Sequence, residues 1–169
     1  MIKKVGVVGA GMMGAEIALC FARAGMETVL SDTSLEIAEK GKAKQNDILE
    51  KRIKKGKLEK SEKEKILANV VPTGDVKDMA DCDIVIEAVL ENIEIKLGIF
   101  SQLDGICKPE TILASNTSSI SISKIASAVG ESRKGRVIGT HFNSPASVMK
   151  LVEVIPGLMT AAETADEVT

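Results

Sequence analysis

The sequence predicts an α/β fold, a doubly wound and mostly parallel sheet covered by helices. Three observations lead there. Short β-branched apolar runs alternate with amphipathic stretches along most of the 169 residues, the pattern of strands buried between helical layers. The first apolar run leads into Gly9-Ala10-Gly11-Met12-Met13-Gly14, a G-x-G-x-x-G turn that opens a helical stretch. The second run ends on an acid, Asp32, eighteen positions beyond Gly14. Together these give the sheet its Rossmann-type character.

Val5-Gly6-Val7-Val8 is a short buried strand. Met12 to Ala24 carries apolar residues at helical spacing (Met13, Ile17, Phe21, Ala24), and Gly25 stops that helix. Thr28-Val29-Leu30-Ser31 is the second strand. Thr33 and Glu36 stand at capping-box spacing, which predicts a helix over residues 34–56. Ser61 and Glu64 repeat the spacing and open a second helix toward Asn69, so the pair forms a helical hairpin arm after the second strand. Val70-Val71-Pro72 is a third strand, weakened by its proline. Asp83 to Glu87 is a cleaner fourth strand, followed by a helix from Ile93 to Ile106 and a fifth strand from Thr111 to Ser115. A polar turn, Asn116 to Ser119, leads to a short helix around Ser123 to Val129. Arg136 to Thr140 and Leu151 to Ile155 are the last two strands. A third capping-box spacing, Thr160 to Glu163, precedes a helical composition from Ala162 to Val168. The expected division is one domain over residues 1–157, with residues 158–169 starting a second, helical domain cut short.

Composition narrows the function classes. A net charge of −2 argues against nucleic-acid binding, and three Phe with no Trp or Tyr argue against a base-stacking platform. No run approaches the roughly 18 apolar residues of a membrane span, and the N-terminus goes straight into a strand pattern without a signal-peptide core. Cys20, Cys82 and Cys107 are odd in number and sit in apolar segments. They read as reduced core thiols of a cytoplasmic protein. A single histidine excludes a multi-histidine metal site.

The glycine turn carries chemistry because of its context. Gly9 allows the tight turn, Gly11 lets backbone amides approach a pyrophosphate, and Gly14 lets helix pack on strand. The helix N-terminus across Ala10, Met12 and Met13 supplies amide donors and a positive dipole end for the phosphates. A carboxylate at Asp32 accepts from ribose hydroxyls and repels a 2′-phosphate, which favours NAD over NADP. The other reading of Asp32 is a helix-entry carboxylate that complements the macrodipole; the pieces in register favour the ribose.

Glu153 lies in the middle of an apolar strand, where a carboxylate is expected to be buried and either paired or raised in pKa. His141, twelve residues earlier, ends the preceding strand, and ligands bind at strand C-termini in open α/β sheets. A glutamate accepting from one imidazole nitrogen leaves the other free to take a proton from an alcohol. The patterning alone also admits a histidine that merely fills a strand end, with Glu153 paired to Lys150. The turn Ser115-Asn116-Thr117-Ser118-Ser119 offers donors to the same crevice, or simply caps the next helix.

The run from Gly139 to Ile155, reading Gly-Thr-His-Phe-Asn-Ser-Pro-Ala-Ser-Val-Met-Lys-Leu-Val-Glu-Val-Ile, closely resembles the signature of 3-hydroxyacyl-CoA dehydrogenases. Glu87-Ala88-Val89-Leu90-Glu91-Asn92 and Ser115 to Ser119 resemble two further motifs of that family, in the same order. The resemblance implies NAD-dependent interconversion of L-3-hydroxyacyl-CoA and 3-ketoacyl-CoA. It implies His141 as base, Glu153 as its partner, and Ser118 touching both the substrate oxygen and the nicotinamide side. Glu91 and Lys96 match positions lining the cofactor site, and Lys55 matches a lysine that meets coenzyme A. Residues 50–65 hold eight basic and four acidic side chains, a charge suited to coenzyme A phosphates or to a solvated hairpin. Two features depart from the family. Ser144 stands where relatives carry an asparagine on the nicotinamide side, with Asn143 before it. The family's helical domain, which supplies homodimer contacts, has no counterpart here. A 3-hydroxyacyl-CoA dehydrogenase is therefore expected, against two alternatives: a dehydrogenase of another hydroxy acid, or a catalytically silent NAD-binding module.

Overall fold

A computed structural model describes residues 2–169. Seven strands form one sheet: β1 (Lys4–Val8), β2 (Glu27–Ser31), β3 (Val70–Thr73), β4 (Ile84–Glu87), β5 (Ile112–Ser115), β6 (Val137–Phe142) and β7 (Val152–Pro156). Their spatial order is β3-β2-β1-β4-β5-β6-β7. The first six are parallel, and β7 runs antiparallel to β6. The helices are α1 (Met12–Arg23), α2 (Leu35–Lys54), α3 (Lys60–Ala68), α4 (Ile93–Ile106), the single turn α5 (Ile122–Ile125) and α6 (Ala162–Val168).

Side chains alternate along each strand, so the two faces feed two cores. Ile84, Ile86, Ile112, Ala114 and Ile138 pack with Ile17, Ala18 and Ala22 of α1. Val85, Leu113 and Val137 pack with Phe100 and Leu103 of α4 and with Ile122 and Ile125 of α5. Burial on both faces explains why these strands read as unbroken apolar runs. Crossovers pass to opposite faces on either side of β1 and β4. The crevice where the winding reverses therefore opens at their C-terminal ends, the place where such sheets bind ligands.

Several expectations need correction. Ser34, not Thr33, caps α2, its hydroxyl accepting from the Ile37 N–H at 3.3 Å. Thr33 is taken by the Asp32 carboxylate, which accepts its N–H at 2.7 Å and its hydroxyl at 3.2 Å. The arm's second helix begins two residues early: Glu62 accepts from the Glu59 N–H at 3.0 Å, and the box at Ser61 is not used. Thr160 does not cap α6, which starts from Ala161; its hydroxyl donates to the Val137 carbonyl at 2.6 Å. The expected helix at Ser123 to Val129 is α5 with a 3-10 turn at Ala126–Ala128. Pro72 is tolerated because β3 is an edge strand. The terminal segment lies on the sheet: Thr164 is buried with its hydroxyl on the Gly135 carbonyl at 2.8 Å, and Arg136 pairs with Glu167 at 2.8 Å.

Candidate active site

The glycine turn connects β1 to α1, and each glycine has its own reason. Gly9 has φ 103°, and a Cβ there would stand 2.7 Å from the Ala88 carbonyl oxygen. A Cβ on Gly14 would overlap the Gly9 carbonyl, while one on Gly11 would meet nothing within 4 Å. The open space before Gly11 belongs to a cavity of about 650 Å³ lined by Gly9, Gly11, Met12, Met13, Glu91 and Ser118, among others. A second cavity of about 480 Å³ shares Gly9, Asp32, Thr33, Val89, Ile95 and Ile99 with it. Among the described residues no side chain caps α1, and no acid stands in its first turn. The free amides and the positive dipole end thus face the cavity. This two-part groove, with glycines where a side chain would fill it, fits a dinucleotide stretched across the switch point.

Asp32 links β2 to the turn: its Oδ2 accepts from the Ala10 N–H at 2.6 Å. The carboxylate borders both cavities, so its remaining lone pairs are available where a ribose would sit.

His141 and Glu153 are direct cross-strand partners on β6 and β7. His141 Nδ1 lies 2.6 Å from Glu153 Oε2, and Nε2 lies 3.0 Å from Ser118 Oγ. The expectation of a buried acid is wrong for Glu153, whose side chain is 51% exposed because β7 is the outer strand of the sheet. The pairing with His141 is present, and Lys150 plays no part in it. Asn116, from the same hydroxyl-rich turn as Ser118, accepts from the Phe142 N–H at 2.8 Å and ties that turn to the end of β6.

The buried acid of this molecule is Glu87, the last residue of β4. It and Lys96 of α4 are both fully buried and stand 2.6 Å apart. Lys96 also lies 3.3 Å from Glu91 Oε2, so it borders neither cavity and serves as a cation between two carboxylates. Glu91 faces the larger cavity and gathers the turn after β5. Its Oε1 accepts from the Thr117 hydroxyl, the Ser118 N–H at 3.1 Å, and both the N–H and hydroxyl of Ser119 at 3.2 and 3.1 Å. Burial pushes the Glu91 carboxyl up, but Thr117, Lys96 and the Ser119 amide outweigh it and hold the group down to about 2.

Ser144 is exposed in the loop between β6 and β7 and borders neither of the two cavities. Lys55 is exposed at the C-terminal end of α2, beside a cavity of about 330 Å³ also lined by Lys51, Arg52, Lys57 and Ser147. The structure thus brings Gly9 to Gly14, Asp32, Glu91, Ser118, His141 and Glu153 to one crevice, and leaves Lys55 on the arm. No helix among the described residues is long and apolar enough to cross a membrane.

Comparison with known proteins gives the same picture. The family model described as "3-hydroxyacyl-CoA dehydrogenase, NAD binding domain" matches residues 4–169. A protein named probable 3-hydroxybutyryl-CoA dehydrogenase from Deinococcus radiodurans is 47% identical over 166 residues, covering 98% of this chain and 59% of that protein. The 3-hydroxybutyryl-CoA dehydrogenase of Bradyrhizobium diazoefficiens is 44% identical over 160 residues, covering 95% of this chain and 54% of the relative. The crystal structure of (S)-3-hydroxybutyryl-CoA dehydrogenase from Ralstonia eutropha superposes with a TM-score of 0.96 at 43% identity, over 99% of this chain and 59% of that one. The chain therefore spans between half and two thirds of the length of these relatives. With the glycine cradle, the switch-point groove and a family match over residues 4–169, the chain belongs to the NAD-binding domains of the 3-hydroxyacyl-CoA dehydrogenase family.

Proposed function

We propose that the protein interconverts L-3-hydroxyacyl-CoA and 3-ketoacyl-CoA with NAD. The observation that carries this reading is the run Ser118–His141–Glu153, whose first member borders the glycine-lined cavity. The Gly11 to Gly14 amides hold the pyrophosphate, and Asp32 accepts from the adenosine ribose. Bound NAD would supply the acceptor for the hydride of the carbinol carbon. His141 donates its Nδ1–H to Glu153, which leaves the Nε2 lone pair facing Ser118 and the substrate hydroxyl. The Ser118 hydroxyl orients that oxygen, Nε2 takes its proton, and the Glu153 carboxylate stabilises the imidazolium that forms. Lys55 meets the coenzyme A phosphates, and the relatives named for 3-hydroxybutyryl-CoA favour a short acyl chain.

The test is oxidation of NADH by the purified protein with acetoacetyl-CoA, set against free acetoacetate and a panel of free keto acids. Turnover confined to the thioester is the expected result. Equal rates on the free acids would assign the protein to another hydroxy-acid dehydrogenase, and tight NADH binding without turnover would make it a silent module. The ribose assignment has its own expected result. Asp32→Ala lowers NADH affinity about tenfold, the worth of one charged hydrogen bond, and removes most of the discrimination against NADPH. Fluorescence titration with both coenzymes measures each, and an unchanged preference would refute the role.

A further inference from the structure

We propose that Glu87 and Lys96 are positioning residues, which hold the Glu91 carboxylate where it fixes Ser118 against His141. The proposal rests on the dehydrogenase reading for its catalytic consequence, though not for its geometry. Four contacts run in line from the core to the reacting group. Glu87 Oε2 accepts from the Ser115 hydroxyl at 2.6 Å, and Oε1 accepts from the Val89 N–H at 2.8 Å and the Lys96 ammonium at 2.6 Å. Lys96 reaches Glu91 Oε2 at 3.3 Å. Glu91 Oε1 holds the amides of Ser118 and Ser119. Ser118 Oγ then lies 3.0 Å from His141 Nε2.

The division of labour within Glu91 is the informative part. One carboxylate oxygen gathers the turn, and the other is held by a cation that water does not reach. A buried ion pair is poor value for stability alone, since well-packed apolar side chains of the same volume usually do as well or better. Apolar side chains in those places would still fill the space between β4 and α4. They would leave Glu91, which is 40% exposed, free to swing toward solvent and release the turn. The charged groups facing Glu91 are Lys96 from α4 and Glu87 from β4, with His141 of β6 one hydroxyl away.

The experiment compares the wild type with the neutral double variant Glu87→Gln/Lys96→Met, which keeps the volume and an acceptor for Ser115. In the protein without coenzyme, amide NMR shifts of Ser118 and Ser119 are followed from pH 7 to 3.5. The wild type is expected to show no carboxylate step there, because Glu91 titrates at about 2. The double variant is expected to show one with a midpoint of about 4, the ordinary range for an unassisted glutamate. With acetoacetyl-CoA its kcat falls about tenfold or more. If the double variant does not fold, Lys96→Gln, which still donates to Glu87, carries the same expectations. A folded variant whose amides and pH response match the wild type would overturn the proposal and leave the pair purely structural. Absence of turnover in the wild type would sink the dehydrogenase reading and leave the amide result to decide the positioning role.

Discussion

His141→Ala lowers turnover of acetoacetyl-CoA by about a thousandfold, while NADH binds as tightly as to the wild type. A positioned general base contributes about 10²–10⁴-fold, and the chain has no second histidine to replace it. The coenzyme contacts are unaffected, because the glycine cradle and Asp32 lie on β1, β2 and α1, whereas His141 is on β6. Glu153→Gln costs less, about a hundredfold. The amide oxygen still accepts from Nδ1–H and keeps the tautomer, but a neutral group no longer stabilises the imidazolium. Because Glu153 is half exposed, the substitution leaves no buried charge behind, so the loss falls on rate and not on folding. Ser118→Ala removes one hydrogen bond at 3.0 Å from Nε2 and costs roughly tenfold. Single-turnover absorbance at the nicotinamide band, with calorimetric NADH titration of each variant, checks the series. Retention of rate within tenfold by His141→Ala would remove it from the base role.

The glycine cradle was legible in sequence because its requirements are local: a strand, three glycines with distinct steric duties, and a helix start within a few residues. The His141–Glu153 partnership was legible too, but its setting was not. The connection from Phe142 to Val152 is too short for the dozen or more residues a parallel crossover needs. That shortness signals an antiparallel hairpin and an outer β7 whose acid faces water. The burial argument applied to Glu153 belongs to Glu87, which ends a strand with neighbours on both sides and helices on both faces. Position in the sheet decides which of two acids in apolar strands is buried, and strand order is a long-range property. The burial of Lys96, named only through the family resemblance, was hidden for a related reason. A lysine in the first turns of a helix reads as solvated until its partner across the crossover is known. The caps failed at a finer scale: Thr33 and Ser34 both qualify for α2, and only the competing Asp32 carboxylate selects between them.

Arg133→Met destabilises the fold by about 3–5 kcal/mol. In sequence Arg133 belongs to a polar stretch, Glu131-Ser132-Arg133-Lys134. In the structure it is buried, and its guanidinium serves the segment that ends α4 and leads into β5. Its Nε–H donates to Asp104 Oδ1 at 3.1 Å, and the terminal nitrogens donate to the carbonyls of Cys107 at 2.9 Å, Thr111 at 3.2 Å, Pro109 at 3.3 Å and Asp104 at 3.4 Å, and to that of Lys108. The last turn of α4 has no basic residue of its own, so Arg133 provides, from the 3-10 helix Glu131–Arg136 that precedes β6, the cation that a helix C-terminus favours. Removing it leaves several carbonyls without donors, each costing about 1–3 kcal/mol where water cannot enter. Asp104 is partly exposed and rehydrates, which keeps the total below the simple sum. Arg133→Lys recovers only part of the loss, because three donors on a point charge do not span the positions a planar fork reaches. Lys134 is the internal control. It pairs with Glu131 near the surface, and Lys134→Met is expected to change stability by no more than about 1 kcal/mol. Urea unfolding of the three variants separates the cases: a midpoint for Arg133→Met close to that of Lys134→Met would mean that water, not Arg133, satisfies the end of α4.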